Sequence, residues 1–553
     1  MKITDTSDLW WKTAVVYCLD VETYLDSDGD GTGDLAGLAK RIDYLADLGV
    51  TCLWLMPFYP TMDRDDGYDV TDFYGVDPRL GTHGDLVEVI RTAKDRGMRV
   101  IVDLVVNHTS DKHPWFVSAT RSRTSPYRDF YVWRDEPPAN NVNAVFPGEE
   151  ATLWEKDEKS GQYYLHSFYS HQPDLNIVNP RVRDEIAKTI GFWLQLGISG
   201  FRVDAVPFLL EVQEGEDIGD PHEFLRDLRR FLQRRSSEAV LLGEVNLPYR
   251  EQLEYFGTGA GYELTMQFDF VGMQSLYLSL ARSDPAPLAK ALTSRPDIPD
   301  EAQWANFVRN HDELTLDKLS DAERDEVFEA FAPEESQRVY GRGIVRRLPP
   351  MLGGDPRRIR MVYSLLFSLP GVPVLFYGEE IGMGENGDLH ARMAVRTPMQ
   401  WSDERNGGFS DAAPSRLAAA PPGDGYAPKH VNVAAQLEDD DSLLQFIRTL
   451  SARYRISPEI GWGRFSLLEH EAPGVLTHSL SADVGRFVAV HNFTDVPTTI
   501  TLTLDDEPEG AVLSDLLSTG SFDLDAKGRV SFDVPAYGYL WLRVRRPGDG
   551  RVG

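Results

Sequence analysis

The chain has 553 residues, 42% of them apolar and 26% charged, and a formal net charge of −31. That length allows two to four domains and a large core, and the acidity argues against nucleic acid or an anionic membrane as partner while fitting a neutral or cationic ligand. No run of about 18 apolar residues occurs. Met1-Lys2-Ile3-Thr4-Asp5 has no apolar signal core, and two cysteines, Cys18 and Cys52, cannot build a disulfide framework. The expectation is a cytoplasmic protein with both thiols in the core, and a homo-oligomer is left open.

From Trp10 onward, apolar β-type runs alternate with helical patterns. Ala14–Leu19, Thr51–Met56 and Arg99–Val106 read as strands; Leu35–Leu48 and His83–Arg96 read as helices stopped by Gly49 and Gly97. From about Thr109 to Asn179 the chain is rich in Pro, Asn, Ser and aromatics without a steady period. Seventy such residues are too many for a loop, so they predict a subdomain inserted after the third strand. Arg181–Leu196 resumes as a helix, and Gly200–Val206 is the fourth strand. Ala239–Val245, Leu264–Phe270, Trp304–Asp312 and Val372–Gly378 supply the fifth to eighth. Eight strands with intervening helices predict an α/β fold, a (β/α)8 barrel with functional residues at strand C-termini. A last helix near Ser442–Tyr454 precedes alternating runs at Phe487–Val490, Thr499–Leu504, Arg529–Val534 and Tyr539–Val544, which predict a C-terminal antiparallel β-sandwich. The predicted division is 1–108 with 180–460 for the barrel, 109–179 for the insertion and 461–553 for the sandwich.

Charged groups stand at strand ends where a purely structural barrel needs none. The third strand ends Asp103-Leu104-Val105-Val106-Asn107-His108, the fourth with Arg202 and Asp204, the fifth at Glu244, the seventh Asn310-His311-Asp312-Glu313. Arg202 and Asp204 are two apart and share one strand face. Alone they would also suit an internal ion pair; four such termini on one rim point to chemistry. Carboxylates, a cation and histidines without a Ser or Cys nucleophile motif or a zinc-type cluster fit glycoside hydrolysis.

These stretches resemble the conserved regions of the α-amylase superfamily of retaining glycosidases and transglycosidases. Gln172-Pro173-Asp174-Leu175-Asn176 is similar to a region typical of its oligo-1,6-glucosidase and trehalose synthase branches, and Val395-Arg396-Thr397-Pro398-Met399-Gln400-Trp401 most resembles the latter. The resemblance implies Asp204 as nucleophile, Glu244 as acid/base and Asp312 as the group that grips the distorted glucose. It implies His108, Arg202 and His311 around that sugar, and Asp65, Tyr68 and Arg396 at its non-reducing end. Arg202 would keep Asp204 ionised, and a hydrophobic strand would keep Glu244 protonated. Small α-glucosides are the implied partners: maltose, trehalose, sucrose or short maltooligosaccharides. No organic cofactor is implied.

Asp26-Ser27-Asp28-Gly29-Asp30-Gly31-Thr32-Gly33-Asp34 spaces carboxylates as an oxygen-ligated cation requires, although an acidic turn has the same composition. The resemblance implies structural Ca²⁺ held by Asp26, Asp28, Asp30, the Thr32 carbonyl and Asp34. It implies a second Ca²⁺ held by Asn107, Asp174, Glu211 and carbonyls near Phe208 and Leu209. The chain departs from the trehalose synthase pattern at Val245-Asn246 and at His390-Ala391-Arg392-Met393-Ala394, both expected near the acceptor. Water as acceptor gives an α-glucosidase, released glucose gives maltose–trehalose isomerisation, and another hydroxyl gives a transglucosylase. An amylase acting on longer chains and a catalytically silent binding protein are the remaining alternatives. The three carboxylates argue against a silent protein, and a walled-off non-reducing end argues against the long-chain amylase.

Overall fold

Eight short parallel strands close on themselves in sequence order: β1 (Val16–Leu19), β2 (Cys52–Leu55), β3 (Arg99–Leu104), β4 (Gly200–Val203), β5 (Val240–Gly243), β6 (Met266–Phe268), β7 (Gln303–Phe307) and β8 (Val372–Phe376), with β8 returning to β1 through Val16↔Val374. This computed structural model describes residue 3 and residues 9–143, 145–211, 219–258 and 261–548. The rest of the N-terminal stretch and residues 549–553 of the tail lie outside them. Every residue of β1, β2, β4, β5, β6, β7 and β8 is buried, which explains why they read as unbroken apolar runs rather than alternating ones. At Gly200 a Cβ would stand 2.4 Å from the Val240 carbonyl oxygen, so only glycine lets β4 and β5 approach at that point.

The strands end two to five residues earlier than expected at β3, β4 and β7. The expected strand tips are loop there, which frees their side chains from the sheet. The expected helix Leu35–Leu48 is two helices, α1 (Leu35–Lys40) and α2 (Ile42–Asp47). Arg41 leaves helical geometry between them (φ −108°, ψ 4°), where its guanidinium lies 4.0 Å from the Trp401 ring centre. α3 (His83–Asp95) opens on a capping box between Thr82 and Asp85. α4 (Pro180–Leu196) starts on an Asn179 cap with proline in its first turn and stops at Gly197 in the left-handed region.

Between β3 and α4 lies a small antiparallel sheet of Trp133–Arg134, Gln162–Leu165 and Trp154–Asp157. A second excursion, unforeseen from sequence, leaves β7 and builds a three-stranded sheet from Leu314–Thr315, Gly343–Ile344 and Arg338–Val339. After α5 (Pro356–Ser368), β8 and α6 (Leu443–Arg455), the chain forms a six-stranded antiparallel sheet and a separate pair, Thr498–Thr503 with Arg529–Val534. Val488, Val490, Ile500, Leu502, Phe532 and Leu542 fill the space between the two. The opposite face of the larger sheet, through Leu480, Phe487 and Trp541, joins the barrel core. Among the described residues, no helix is long and apolar enough to cross a membrane.

Candidate active site

β4 carries Arg202 into the barrel opposite Asp103 of β3, its partner in register, so both side chains leave the sheet on one face. Arg202 Nη1 donates to Asp103 Oδ1 and to Asp204 Oδ1, each at 2.5 Å, and Nη2 donates to Glu244 Oε2 at 2.8 Å. Trp54 Nε1 donates to the other Asp103 oxygen at 2.7 Å. A guanidinium only 1% exposed is tolerable because three carboxylates surround it. Burial works against its charge, but Asp103, Glu244 and Asp204 hold its proton well above the usual arginine range.

The backbone turns sharply just past β4. Ala205 takes the left-handed conformation (φ 48°, ψ 43°), and its N–H donates to Glu244 Oε2 at 3.0 Å. That turn sets Asp204 at the rim beside Glu244, whose own N–H bonds the Val203 carbonyl at 3.1 Å. Burial pushes Asp204 up to about 6 against the pull of Arg202, with Asp103 and Asp312 adding to the rise. Burial also raises Glu244, again opposed by Arg202. Arg202 therefore touches both carboxylates, not Asp204 alone as the sequence led one to expect. Among the described residues, Asp204 Oδ2 and Glu244 Oε1 accept no hydrogen bond, which leaves one oxygen of each for chemistry.

Asp312 is gripped from three sides. Arg392 Nη1 and Arg396 Nη2 donate to its Oδ1 at 2.7 and 3.0 Å, and His311 Nε2 stands 3.1 Å from Oδ2. Burial would raise this carboxyl, but His311 and Arg392 outweigh it and hold it well below the usual range. Arg392 also donates from Nη2 to Asp65 Oδ1 at 2.7 Å, while Gln172 Nε2 donates to Asp65 Oδ2 at 2.8 Å. The 390–394 segment, expected near the acceptor, thus reaches instead to the wall between Asp65 and Asp312. Arg396, expected beside the sugar, lies behind that wall, bonded to Asp66 Oδ2 at 2.7 Å and to the His311 carbonyl at 2.8 Å.

Asp65, Tyr68, His108, Asp204, Glu244 and Asp312 all line one cavity of about 480 Å³, whereas Arg202, His311 and Arg396 stand behind it. Tyr68 OH lies 2.7 Å from His311 Nε2, and the two rings are nearly parallel. His108, lowered to about 4 by burial, is neutral and sits 3.1 Å from the Tyr68 carbonyl. Val145 and Phe146 of the insertion and Arg342 of the second excursion roof the cavity. Tyr340 lies with its ring 5.1 Å from Phe146. Val245 is fully buried, but Asn246 reaches the cavity and donates to Asp317 Oδ1 at 3.1 Å. Sequence reasoning placed Arg392 only within a segment near the acceptor and missed Arg342; no strand end marks either one.

Residues 21–328 and 345–460 match the α-amylase catalytic-domain family. The chain belongs to the α-amylase family. Within that family it is 41% identical to the trehalose synthase/amylase of Mycobacterium tuberculosis, over 97% of this chain and 90% of the relative. It is 40% identical to the trehalose synthase of a Pimelobacter species, over 97% and 96%. Among solved structures it is similar to the α-amylase of H. orenii (26% identity, 97% and 100% coverage, TM-score 0.79) and to the trehalulose synthase of Pseudomonas mesoacidophila (25%, 97% and 99%, TM-score 0.75). Residues 485–543 match a sucrose hydrolase-like C-terminal domain. The stretch of this α-amylase-family chain that falls between the matched segments, 329–344, is the part of the second excursion that carries Tyr340 and Arg342.

The acidic loop of this α-amylase-family chain brings carboxylate oxygens of Asp26, Asp28 and Asp34 within 4.8 Å of one another. Asp26 accepts from the amides of Asp28, Gly29 and Gly31, and Asp34 from that of Ser27, so the loop wraps around the trio. Asp30 stands outside it, with Oδ1 accepting from Thr32 N. At the second predicted site Asn107 Nδ2 lies 3.3 Å from Asp174 Oδ1, and Ser167 also bonds that carboxylate. Burial, against the bonds from Ser167 and with a contribution from Glu211, lifts Asp174 to about 7. The Phe208 carbonyl accepts from Glu211 N at 3.1 Å, and Leu209 is buried beside it.

Proposed function

We propose that the protein is a retaining α-glucosyl transferase that interconverts maltose and trehalose. One observation carries the reading: Arg392 bridges Asp65 to Asp312 and walls one side of a cavity whose other groups are Asp204 and Glu244. A wall there accepts a single glucosyl unit and refuses a continuing chain. The resemblance to trehalose synthases supplies the substrate pair.

Asp204 Oδ2 attacks the anomeric carbon of the terminal glucose while the glycosidic bond breaks, and the Glu244 proton passes to the leaving oxygen. An ester to Asp204 and one free glucose result. In the return step the carboxylate of Glu244 takes the proton of the anomeric hydroxyl of that glucose, whose oxygen displaces Asp204. Two carboxylates sharing one guanidinium suit the separation of about 5–5.5 Å that direct attack requires. Asp312, held ionised, binds sugar hydroxyls without becoming an acid itself. Neutral His108, its Nε2–H held by the Tyr68 carbonyl, lines the sugar site without adding charge.

Water in place of glucose would end the cycle as hydrolysis, so the roof of Phe146 and Arg342 supports the isomerase reading over an α-glucosidase. The product time course from maltose tests it: trehalose should exceed free glucose, and glucose alone would reassign the chain as a hydrolase. Sucrose and short maltooligosaccharides are the further substrates to assay. For the cations, hard oxygen donors at Asp26, Asp28 and Asp34 fit Ca²⁺, which would hold that loop against its own charge repulsion. The same reading extends to Asn107, Asp174 and Glu211, where a cation would tie the insertion to the barrel. A reducing cytoplasm is the compartment we assign, on the two buried thiols.

A further inference from the structure

We propose that the N-terminal end of the barrel carries a second, non-catalytic site for a small neutral glucoside, built around Trp462 and Lys12. The segment entering β7, the turn entering β8 and the first strand of the C-terminal sheet (Arg464–Leu467) enclose a cavity of about 540 Å³ there. It is comparable in volume to the catalytic cavity of about 480 Å³. Its lining residues precede the strands whose far ends carry the catalytic groups, and β7 alone separates the two ends by roughly 15 Å.

The walls are constructed. Gln303 Nε2 donates to the Lys12 carbonyl at 3.0 Å and to that of Gly461 at 2.7 Å. A Cβ on Gly461 would stand 1.9 Å from the Lys12 carbonyl oxygen, so glycine is what lets the two backbones meet. Lys12 Nζ, 5.1 Å from the Trp462 ring centre, donates to the Asp300 and Ala302 carbonyls at 3.1 and 2.8 Å. Those two carbonyls and the ring fix the ammonium at the border of the cavity. Lys12 is 7% exposed, and burial pulls it down to about 8.

Charge then selects the ligand. Arg295 is taken by Asp269, to which its Nε donates at 3.0 Å. The other charged residues of the lining are Lys12, Arg464, Asp297 and Asp300, two of each sign, so the described lining is neutral overall and favours neither anion nor cation. The half-buried Trp462 indole with a few donors and acceptors around it suits the C–H faces and hydroxyls of a pyranose. That the sugar is an α-glucoside rests on the functional reading above; the cavity and its neutrality do not.

The test is a calorimetric titration of the full chain carrying Asp204→Asn, which stops turnover, with trehalose as probe. Two binding events per chain are expected. Trp462→Ala should weaken one of them roughly tenfold or more and leave the other unchanged. Ser466→Trp, at an exposed rim position, should fill the cavity with the same outcome if the alanine variant fails to fold. A titration that both variants leave unchanged overturns the proposal. A single event abolished by Trp462→Ala would keep this site and count instead against the catalytic reading.

Discussion

Arg342 donates from Nη2 to the Val145 backbone carbonyl at 2.6 Å, joining two excursions that are 197 residues apart in sequence. The bond crosses the roof of the cavity, where Phe146 and Tyr340 meet ring to ring. Arg342→Ala should loosen that roof and let water compete with glucose. The glucose-to-trehalose ratio from maltose should rise several-fold, by about the factor that 1 kcal/mol of lost closure gives. A ratio unchanged by the substitution would place the water barrier elsewhere.

Arg392 is the other unforeseen residue with a direct consequence. Arg392→Ala leaves Asp65 and Asp312 buried without their shared cation, so kcat/KM on maltose should fall about a hundredfold. Maltotriose and longer chains should lose less, because the wall that refuses them opens. Equal losses on both substrates would show that Arg392 serves only to keep Asp312 charged.

Asp204 at about 6 sets the acid side of the pH profile. Activity should fall as pH drops through roughly 6, when the proposed nucleophile takes up a proton. The same shift has a sign for stability. A carboxyl whose folded pKa lies above its unfolded value helps folding at low pH, and that help is lost as pH rises through about 6. Asp204→Asn should therefore be inactive yet melt at a higher temperature than the parent at pH 7.5. A lower melting temperature would mean that the Arg202 pairing outweighs burial.

The acidic loop gives a prediction on metal. Chelation with EDTA should lower the melting temperature, and Ca²⁺ should restore it by binding only the folded loop. Asp28→Asn, in the trio but exposed, should shrink the chelator effect. A midpoint indifferent to both agents would reduce Asp26, Asp28 and Asp34 to an acidic turn.

His478 and His491 seat the C-terminal sheet on α5: His491 Nε2 lies 3.0 Å from Ser364 Oγ, and His478 Nε2 lies 2.8 Å from the Ser368 carbonyl. Burial lowers His478 to about 4 and His491 further. Both are depressed below the unfolded value of about 6.5, so stability declines as pH falls from there toward 4, by up to about 1.4 kcal/mol per pH unit per histidine. Denaturant titrations across that range should show the slope, and His478→Gln should flatten it.

Asp204, Glu244 and Asp312 could be read from the sequence because each follows an apolar strand in which a charge is conspicuous. The eight strands were legible for the same reason: burial on both faces leaves a continuous hydrophobic run. Arg392 was not, because its partner Asp65 is 327 residues away and only folding of the loop after β8 brings them together. The second excursion was invisible since its strands are two residues long and carry no period. Arg41 sits within a regular helical pattern, so the break between α1 and α2 left no trace in it.

One guanidinium, Arg202, answers to three acids. Whatever proton Glu244 keeps, the pocket retains surplus negative charge at rest, and the cleaving glucose meets it by becoming transiently cationic at its anomeric carbon. Molecules that carry that positive charge permanently imitate the moment of cleavage better than the substrate does. Basic sugar mimics with a ring nitrogen should therefore bind more tightly than neutral ones of the same shape. Small polyhydroxylated amines should compete as well, so an assay buffered with such an amine would report an enzyme already partly occupied.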